Sequence, residues 1–455
     1  MGNSRSADSN LLLAALIVLL AAALRIYQLA ELPPGLFYDE SANGVDALRV
    51  LAGAHPVFFS GDQGREPLQI YLQAASIAML GSSPFALRLP SVVLGILTVA
   101  ATYPAFRVFA ASRVGLIGAG LLGASFWHLS LSRQALRTDG LPLFLALAAF
   151  WIAKGVRTGR ARYFCIGGAL VGIDLYTYIP SRLAPVLLGL WLVGCFFIGA
   201  WRGETSRRQI AVGALVAVVA LAIFAFPLAR YFAGHPSDFL GRIQSVSAGP
   251  NSTSWEAGVI GGYRQSLVAL VWSGDPDPLH NLPGRPLVDL PLGILGVFGI
   301  FLALRRWHTG AMIFTLIWCL VMLAPSAMSS EPAHGLRLAG ELPFVLLFPA
   351  LALDWLSDRI SIRGFQLGPA LAGLVVLAIG VNTARDYFQV WASRPDTLQA
   401  FQSDLLNSLS LVDQIPLGAA AFATARVYDD APIPVALVPT VRSRVRSFEG
   451  LNSFV

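Results

Sequence analysis

The chain has 455 residues, of which 55% are hydrophobic and only 13% are charged, and its mean hydropathy is +0.65. These values exclude an ordinary soluble globular domain and indicate a polytopic membrane protein. The net charge of +6 comes almost entirely from arginines between apolar runs. Basic residues in such positions follow membrane topology, so the charge does not indicate a nucleic-acid partner.

Apolar runs recur along the chain and predict an all-α protein with about eleven transmembrane helices. The first run is interrupted only by Arg25 and is long enough to cross a bilayer. The predicted spans are 11–30, 88–106, 114–131, 139–153, 163–179, 183–201, 209–232, 287–304, 309–327, 341–357 and 367–384.

The connection after the first span, residues 31–87, begins with two adjacent carboxylates, Asp39 and Glu40. Acids are costly to hold beside lipid, so at a membrane boundary they usually mark a site. The alternative is that they simply end the helix in water. Further along the same connection, apolar spacing predicts two short amphipathic helices, around 45–51 and 68–80, in the plane of the interface.

Arg65 and Glu66 lie between these two helices, directly before Pro67. Proline and glutamate favour the first turn of a helix, so this stretch could be only a helix start. A functional role for the arginine and the glutamate is the other interpretation.

Alternate connections are strongly basic, and the positive-inside rule places them and the N-terminus in the cytoplasm. Their basic residues are Arg5, Arg107, Arg113, Lys154, Arg157, Arg160, Arg162, Arg202, Arg207, Arg208, Arg305, Arg306, Arg359 and Arg363. The long polar connections 31–87, 233–286 and 385–455 then face outward. The cytoplasmic connections contain no glycine loop that would cradle a nucleotide phosphate, so the predicted chemistry is extracytoplasmic.

Two domains follow from this pattern: a transmembrane domain over 1–384, which would carry any chemistry, and an extracytoplasmic segment over 385–455. The second has less apolar periodicity and short strand-like runs, which predict a small α/β unit. It is short for a domain with its own core, so the sequence is compatible with a truncated domain.

Several motifs together resemble the GT-C glycosyltransferases. Tyr38-Asp39-Glu40 follows the first span, two interfacial helices come next, and Phe85-Ala86-Leu87-Arg88-Leu89-Pro90-Ser91 opens the second span. Ser132-Arg133 with Asp139, and the stretch 279–289, agree with this resemblance. Within the class, the chain is most similar to glycosyltransferase family 39, which includes protein O-mannosyltransferases and aminoarabinose transferases.

The resemblance implies a GT-C fold and a reaction at the outer face of a bacterial inner membrane. Members take a sugar from a polyprenyl-phosphate donor and transfer it, with inversion, to an acceptor hydroxyl. The implied partners are that donor, membrane lipids and an acceptor that is a protein, a lipid or a glycan. The competing hypothesis is a lipid or glycan transporter, which would need midplane charges and two related halves.

The resemblance also implies roles for particular residues. Asp39 matches the first acid of the family motif and is the predicted general base, with Glu40 as its orienting partner. Arg65 matches the family's phosphate-binding position, although Glu66 replaces the first of the usual two prolines. Arg337 is a second candidate for the donor phosphate, because guanidinium groups bind phosphate oxygens in a fork.

His280 and His334 are conceivable metal ligands, but neither has a sequence neighbour at metal-binding spacing. We therefore expect no required cofactor and keep a divalent metal as an option. Asp139 would be its acidic ligand, or else would pair with Arg133 or Arg137. A further acid, Asp174, lies within the fifth predicted span. It would be either functional or a structural group that forms a hydrogen bond with a neighbouring span through Tyr176 or Tyr178.

Overall fold

The computed structural model describes residues 2–61, 64–198, 205–246, 255–306, 309–362 and 365–404, with Asn407, Pro416, 421–425 and 445–449. Helices dominate these residues. They are α1 (Gly2–Ile26), α2 (Tyr38–Leu51), α3 (Leu68–Leu80), α4 (Pro84–Phe109), α5 (Ser112–Ala124), α6 (Phe126–Leu131), α7 (Gly140–Thr158), α8 (Ala161–Asp174), α9 (Ala184–Ile198), α10 (Arg207–Gly234), α11 (Pro236–Val246), α12 (Trp255–Val271), α13 (Leu290–Arg305), α14 (Gly310–Met322), α15 (Ala324–Ala327), α16 (Leu347–Ser357), α17 (Gly368–Arg385) and α18 (Pro395–Ala400).

Each predicted span coincides with one helix or with two consecutive helices. Within the described residues, seven helical stretches are long and apolar enough to cross a membrane. They are Asp8–Ile26, Pro84–Phe109, Arg137–Thr158, Ile179–Phe197, Arg207–Gly234, Gly310–Ala327 and Gly368–Ser393. The other predicted spans coincide with shorter helices, α5 with α6, α8, α13 and α16. The protein is thus a multi-pass membrane protein, while the count of eleven spans stays a prediction.

The third predicted span, 114–131, is divided at Ser125. This residue ends α5 in an extended conformation, and its hydroxyl accepts a hydrogen bond from the backbone N–H of His128 at 3.3 Å. Serine in this position caps the next helix, α6, and lets the chain change direction. The apolar composition of the run hides this break.

The connection 233–286 contains two helices that the sequence did not predict, α11 and α12. The α12 sequence mixes apolar residues with Arg264 and Gln265, so it has no continuous apolar run. It packs against α13 and α15 in the bundle. Tertiary packing, and not a strong local pattern, accounts for this helix.

The two predicted interfacial helices are present as α2 and α3, and they form a small unit with the start of α4. Apolar side chains of this unit make a separate core, which includes Leu36, Ala47, Ile70 and Leu87. The α2 helix begins at Tyr38, seven residues before the predicted segment. Asp39 is consequently in its first turn, where the positive end of the helix dipole favours acidic side chains.

Small residues allow the spans to pack closely in the main core. A side chain on Gly168 of α8 would collide with the backbone of Ala217 in α10. Close approach of backbones through glycine is typical of helix pairs in membranes. The α8 helix packs between α7 and α10 and positions the loop that begins at Asp174.

Residues 386–404 continue from α17 and pack against the helical bundle. Tyr387, Trp391 and Phe401 form one buried cluster with Phe126 of α6. Strands β1 (Ser361–Ile362) and β2 (Phe365–Gln366) form an antiparallel pair. Further on, β3 (Ala421–Ala425) pairs in parallel with β4 (Val445–Glu449). The other predicted strand residues, 427–438, lie outside the described residues.

Candidate active site

A polar cleft lies beside the first turn of α2 and has about 400 Å³ of empty space, part of it open to solvent. Its walls come from α2, from the segment before α3, and from the connections before α7, before α9 and after α15. The lining residues are Asp39, Asn43, Arg65, Leu136, Arg137, Thr138, Tyr178 and Leu336. The fold therefore brings together residues that are almost 300 positions apart in the sequence.

Asp39 is the acid that lines this cleft. Its side chain is half-buried, and its carboxylate has no hydrogen bond or ion pair with any residue that the structure describes. Asn43 lies one helical turn further along α2, and its amide donates to the backbone oxygen of Ala135 at 3.0 Å. The asparagine thus fixes this face of α2 against the chain that enters the next wall of the cleft.

Two arginines line the same cleft and are each held by a buried acid. Arg65 pairs with Asp46 at 2.9 Å. Arg137 donates to Glu66 at 2.9 Å and to the backbone oxygen of Gly64. Both guanidinium groups are nine-tenths buried or more, so their orientation is fixed before any ligand arrives.

Glu66 also approaches a third arginine at the rim. The Nη2 atom of Arg182 is 3.5 Å from a Glu66 oxygen. The same guanidinium stacks over the rings of Phe232 and Phe239 at 5.2 and 4.5 Å. One predicted functional residue, Glu66, is therefore an anchor for two arginines and not itself a lining residue of the cleft.

Glu40 has entirely different surroundings from its neighbour Asp39. It is fully buried, and its two oxygens accept from the Nε and Nη2 atoms of Arg88, both at 2.9 Å. Its carboxylate also accepts from the backbone N–H groups of Ala135 at 2.8 Å and Phe37 at 3.2 Å. These contacts fix the start of α2 and leave Glu40 no face toward the cleft, which favours a positioning role.

Arg133 is fully buried and binds the C-terminal end of α1. Its guanidinium donates to the backbone oxygens of Leu24, Arg25, Gln28 and Leu32 at 2.7 to 3.2 Å. Unpaired carbonyls at a helix end need such donors, and a cation there also complements the dipole. The contacts of Arg133 are those of a helix cap.

Asp139 and Asp174 are buried away from the cleft lining. Asp139 lies next to Ser91 and near Arg25. Asp174 ends α8 and accepts from the hydroxyl of Thr177 at 3.0 Å. This contact is local, because Thr177 lies three residues further along the same segment, so a hydrogen bond from Asp174 to a neighbouring span stays a prediction.

Arg337 is not among the residues that line the cleft. It donates to the hydroxyl of Ser329 at 2.8 Å and pairs with Glu331 at 3.2 Å. Its neighbour Leu336 does line the cleft. Binding of the donor phosphate by Arg337 stays a prediction, and the geometry places Arg137 beside Arg65 instead.

The two candidate metal-ligating histidines lie together. The ring centroids of His280 and His334 are 4.7 Å apart, and Asp275 completes a group of three. The acid of this group is therefore Asp275 and not Asp139, which interacts with other residues. Burial alone would raise the pKa of Asp275, but the nearby imidazole of His280, with further contributions from Gly335 and His334, lowers it overall.

Sequence reasoning did not single out Asn43, Asp46, Arg88, Arg137 or Asp275 as site residues. A signal existed for Asn43 and Asp46. They lie four and seven residues after Asp39, so a helix that begins at Tyr38 puts all three on one face. The contacts of Arg88 and Arg137 span long stretches of chain and left no local signal. Asp275 lies five residues before His280, but its approach to His334 also depends on a distant loop.

Comparisons with known proteins agree with the resemblance. Residues 62–229 match the family model described as "Dolichyl-phosphate-mannose-protein mannosyltransferase". No curated protein matches the chain in sequence.

Solved structures cover more of the chain. One similar structure is ArnT from Cupriavidus metallidurans bound to undecaprenyl phosphate, with a TM-score of 0.58 and 13% sequence identity. The match covers 98% of this chain and 86% of ArnT. The oligosaccharyltransferase of Archaeoglobus fulgidus tethered to an acceptor peptide gives 0.57 and 13% identity, over 96% of this chain. The chain spans 63% of the length of that oligosaccharyltransferase.

A second structure of the archaeal oligosaccharyltransferase is in complex with an inhibitory peptide and a dolichol-phosphate. It gives a TM-score of 0.53 and 15% sequence identity, and the match covers 90% of this chain and 58% of the archaeal chain. At these identities the likeness concerns the fold. Together with the family match over residues 62–229, it shows that the chain has a GT-C fold like that of ArnT.

Proposed function

We propose that this protein is a glycosyltransferase that moves a sugar from a polyprenyl-phosphate donor to an acceptor hydroxyl, with inversion at the anomeric carbon. The observation that carries the proposal is the position of Asp39. It is a carboxylate without an ion pair among the described residues, beside two fixed arginines in one cleft of a GT-C fold. The lipid phosphates bound by ArnT and by the archaeal oligosaccharyltransferase support this choice of donor.

Asp39 acts as the general base in this scheme. As the acceptor oxygen attacks the anomeric carbon, the Asp39 carboxylate takes the hydroxyl proton. The bond between the anomeric carbon and the phosphate oxygen breaks on the opposite side of the carbon, which inverts its configuration. The electron pair of that bond leaves with the polyprenyl phosphate.

Arg65 and Arg137 stabilise the departing phosphate. Negative charge grows on its oxygens in the transition state, and fixed guanidinium groups are worth most where charge develops in a site sheltered from water. Asp46 and Glu66 hold these two arginines in place, so little reorganisation is needed when the donor binds.

We place the cleft at the extracytoplasmic face of a bacterial inner membrane. The basic residues of the other connections support this orientation through the positive-inside rule. The polyprenyl tail would then lie in the bilayer beside the bundle, and the acceptor would enter from the aqueous side. The transporter hypothesis gains no comparable support, because both solved relatives named above are glycosyltransferases by fold and by name.

The test is single-turnover transfer from a short-chain synthetic lipid-phosphate sugar in nanodiscs, with donor binding measured separately. Asp39→Asn keeps the shape and the hydrogen bonding of the side chain but loses the basic oxygen. Loss of a general base typically lowers the rate by about 10²–10⁴-fold. We expect that loss with donor binding close to that of the wild type, and a product of inverted anomeric configuration by NMR.

Glu31→Gln is the matched control, because Glu31 is an exposed acid of the same connection. It should transfer at the rate of the wild type. Transfer by Asp39→Asn at that rate would disprove the base assignment. Retention of the anomeric configuration in the product would disprove the single-displacement scheme.

A further inference from the structure

Asp275, His280 and His334 form a second cluster of ionisable side chains, separate from the lining of the Asp39 cleft. The first two lie in the loop between α12 and α13, and His334 lies in the loop after α15. One ligand atom from each residue is within 4.8 Å of those of the other two. The two imidazole rings are tilted by 37° to each other.

The cluster is buried and partly fixed by the backbone. Asp275 and His280 are 2% and 4% exposed. The Asp275 carboxylate accepts from the N–H of Gly335 at 2.6 Å and from that of Asp277 at 2.9 Å. Metal-binding carboxylates are commonly oriented by such outer contacts.

The imidazole of His280 has a buried nitrogen atom, Nδ1, that forms no hydrogen bond with the described residues. Its Nδ1 atom is 3.6 Å from oxygens of both Asp275 and Asp277, which is too long for a good hydrogen bond. It has no hydrogen-bond partner among the described residues. A buried polar atom of this kind is costly unless something binds it.

We propose that Asp275, His280 and His334 bind a zinc ion. Two imidazole nitrogens with one carboxylate oxygen are a ligand set that suits Zn²⁺, whereas Mg²⁺ and Ca²⁺ prefer oxygen ligands alone. In a tetrahedral zinc site the ligand atoms are about 3.3 Å apart. Small side-chain rotations would bring the three atoms to that spacing, most easily at the half-buried His334. A fourth position is left for water.

The ion would connect two loops that adjoin the cleft. Leu279, next to His280, accepts through its backbone oxygen from Gln134 at 2.6 Å. Leu336, two residues after His334, lines the cleft itself. The zinc ion would therefore be structural: it would link the two loops next to the cleft wall that contains Leu336. It would contact none of the groups assigned to the reaction. Its presence is independent of the proposed transferase activity.

The test measures bound metal directly. The full-length protein, purified without an oligohistidine tag, is stripped with a chelator, loaded with Zn²⁺, passed through a desalting column and analysed by mass spectrometry of the elements. We expect about one zinc per chain in the wild type. His280→Ala and His334→Gln each remove a metal ligand, so both should bind zinc at least about 100-fold more weakly. That loss exceeds the weakening usually seen when a group that only supports a ligand is removed.

His55→Ala and His235→Ala are matched controls, because both histidines are exposed and distant in sequence from the cluster. Both variants should keep the zinc. His334→Gln changes a half-buried side chain, and its elution profile in size-exclusion chromatography shows whether it folds. A wild type without zinc after loading, or equal zinc in a folded His334→Gln and the wild type, would overturn the proposal. Neither result would bear on Asp39.

Discussion

Asp39 and Glu40 are adjacent in the sequence and lie in the same helical turn, yet the protein uses them differently. Asp39 lines the cleft without a partner among the described residues, and Glu40 is held by Arg88 in the interior. Successive side chains on a helix point about 100° apart, so one can face the cleft while the other faces the core. The orientation of α2 therefore determines which acid can meet a substrate.

Replacement of Glu40 by glutamine should destabilise the fold more than it affects the chemistry. The substitution leaves the fully buried Arg88 without a balancing charge, and loss of one partner of a buried pair costs about 3–5 kcal/mol. We expect a lower melting temperature of Glu40→Gln in detergent, whereas Asp39→Asn should melt close to the wild type. A stable Glu40→Gln protein that has lost transfer would instead give Glu40 a direct role.

Donor binding should distinguish Arg137 from Arg337. Hydrogen bonds to a charged group contribute about 1.5–3 kcal/mol, so Arg137→Gln should raise the Kd of the lipid-phosphate donor about 10- to 150-fold. Arg337→Gln should change it much less, because Arg337 pairs with Glu331 outside the cleft lining. Equilibrium binding in nanodiscs checks both variants. An equal loss of donor affinity in Arg337→Gln would show that Arg337 also binds the phosphate.

The residue scale also shows what the sequence could not reveal. Asp39 and Arg65 were predictable because a family motif marks them, and both line the cleft. Arg137 is held by Glu66, 71 residues away, and Asp275 joins His334 and the backbone of Gly335, about 60 residues away, as well as the nearby His280. No local spacing encodes such contacts, and no alignment of motifs pointed to them.

Among the elements, α8 and α10 are one pair whose packing depends on a small residue. Gly168 allows the backbones of the two helices to touch near Ala217. The α8 helix ends at Asp174, and the loop that follows carries Tyr178 into the cleft. Packing within the membrane thus determines the position of one cleft wall.

Gly168→Val should separate these helices and destabilise the protein. Extra methyl groups in a packed core typically cost about 1–3 kcal/mol, and here the obstacle is backbone, which cannot rotate away. We expect a lower melting temperature in a detergent thermal-shift assay. Gly189→Val in α9 is the control, because nothing lies within 4 Å of a Cβ atom added there. Equal melting temperatures for the two variants would contradict the packing argument.

Apolar runs predicted most of the helices well, because a span needs a long apolar stretch whatever its neighbours are. Apolar runs failed to predict the helices whose existence or boundaries are determined by packing or capping. The start of α2 at Tyr38 depends on Glu40 closing the first turn. The division at Ser125 depends on one hydroxyl. The α12 helix lacks the continuous apolar run on which the prediction relied.

For the whole molecule, the arrangement of charge defines two faces. The cleft gathers Asp39, Arg65 and Arg137 at one end of the bundle. The other connections are the basic ones, and there Arg113 pairs with Asp354 and Asp358 at 2.6 Å. Exposed apolar side chains on α1, α10, α13 and α17 cover the sides between these faces, as expected of surfaces in contact with lipid.

Cysteine labelling of intact cells should show the cleft end outside. In a background with Cys165→Ser, Cys195→Ala and Cys319→Ala, a membrane-impermeant reagent should label Gly61→Cys and not Thr158→Cys. Gly61 has open space around it. Thr158 is a better position for the cysteine than the neighbouring Gly159, because the φ angle of Gly159 is +67°, which does not suit a residue with a side chain. Labelling of Thr158→Cys from outside would reverse the proposed orientation.

The contacts between the two ends of the helical domain bear on how the protein is made. The N–H of Leu36, three residues before Asp39, donates to the backbone oxygen of Phe401 at 2.9 Å. Arg133, which caps α1, also lies beneath the rings of Tyr387 and Phe388. During synthesis, the loop that carries Asp39 leaves the ribosome long before these residues exist. The cleft can reach its final form only late in translation, so a nascent chain that has inserted most of its helices is still without an assembled site.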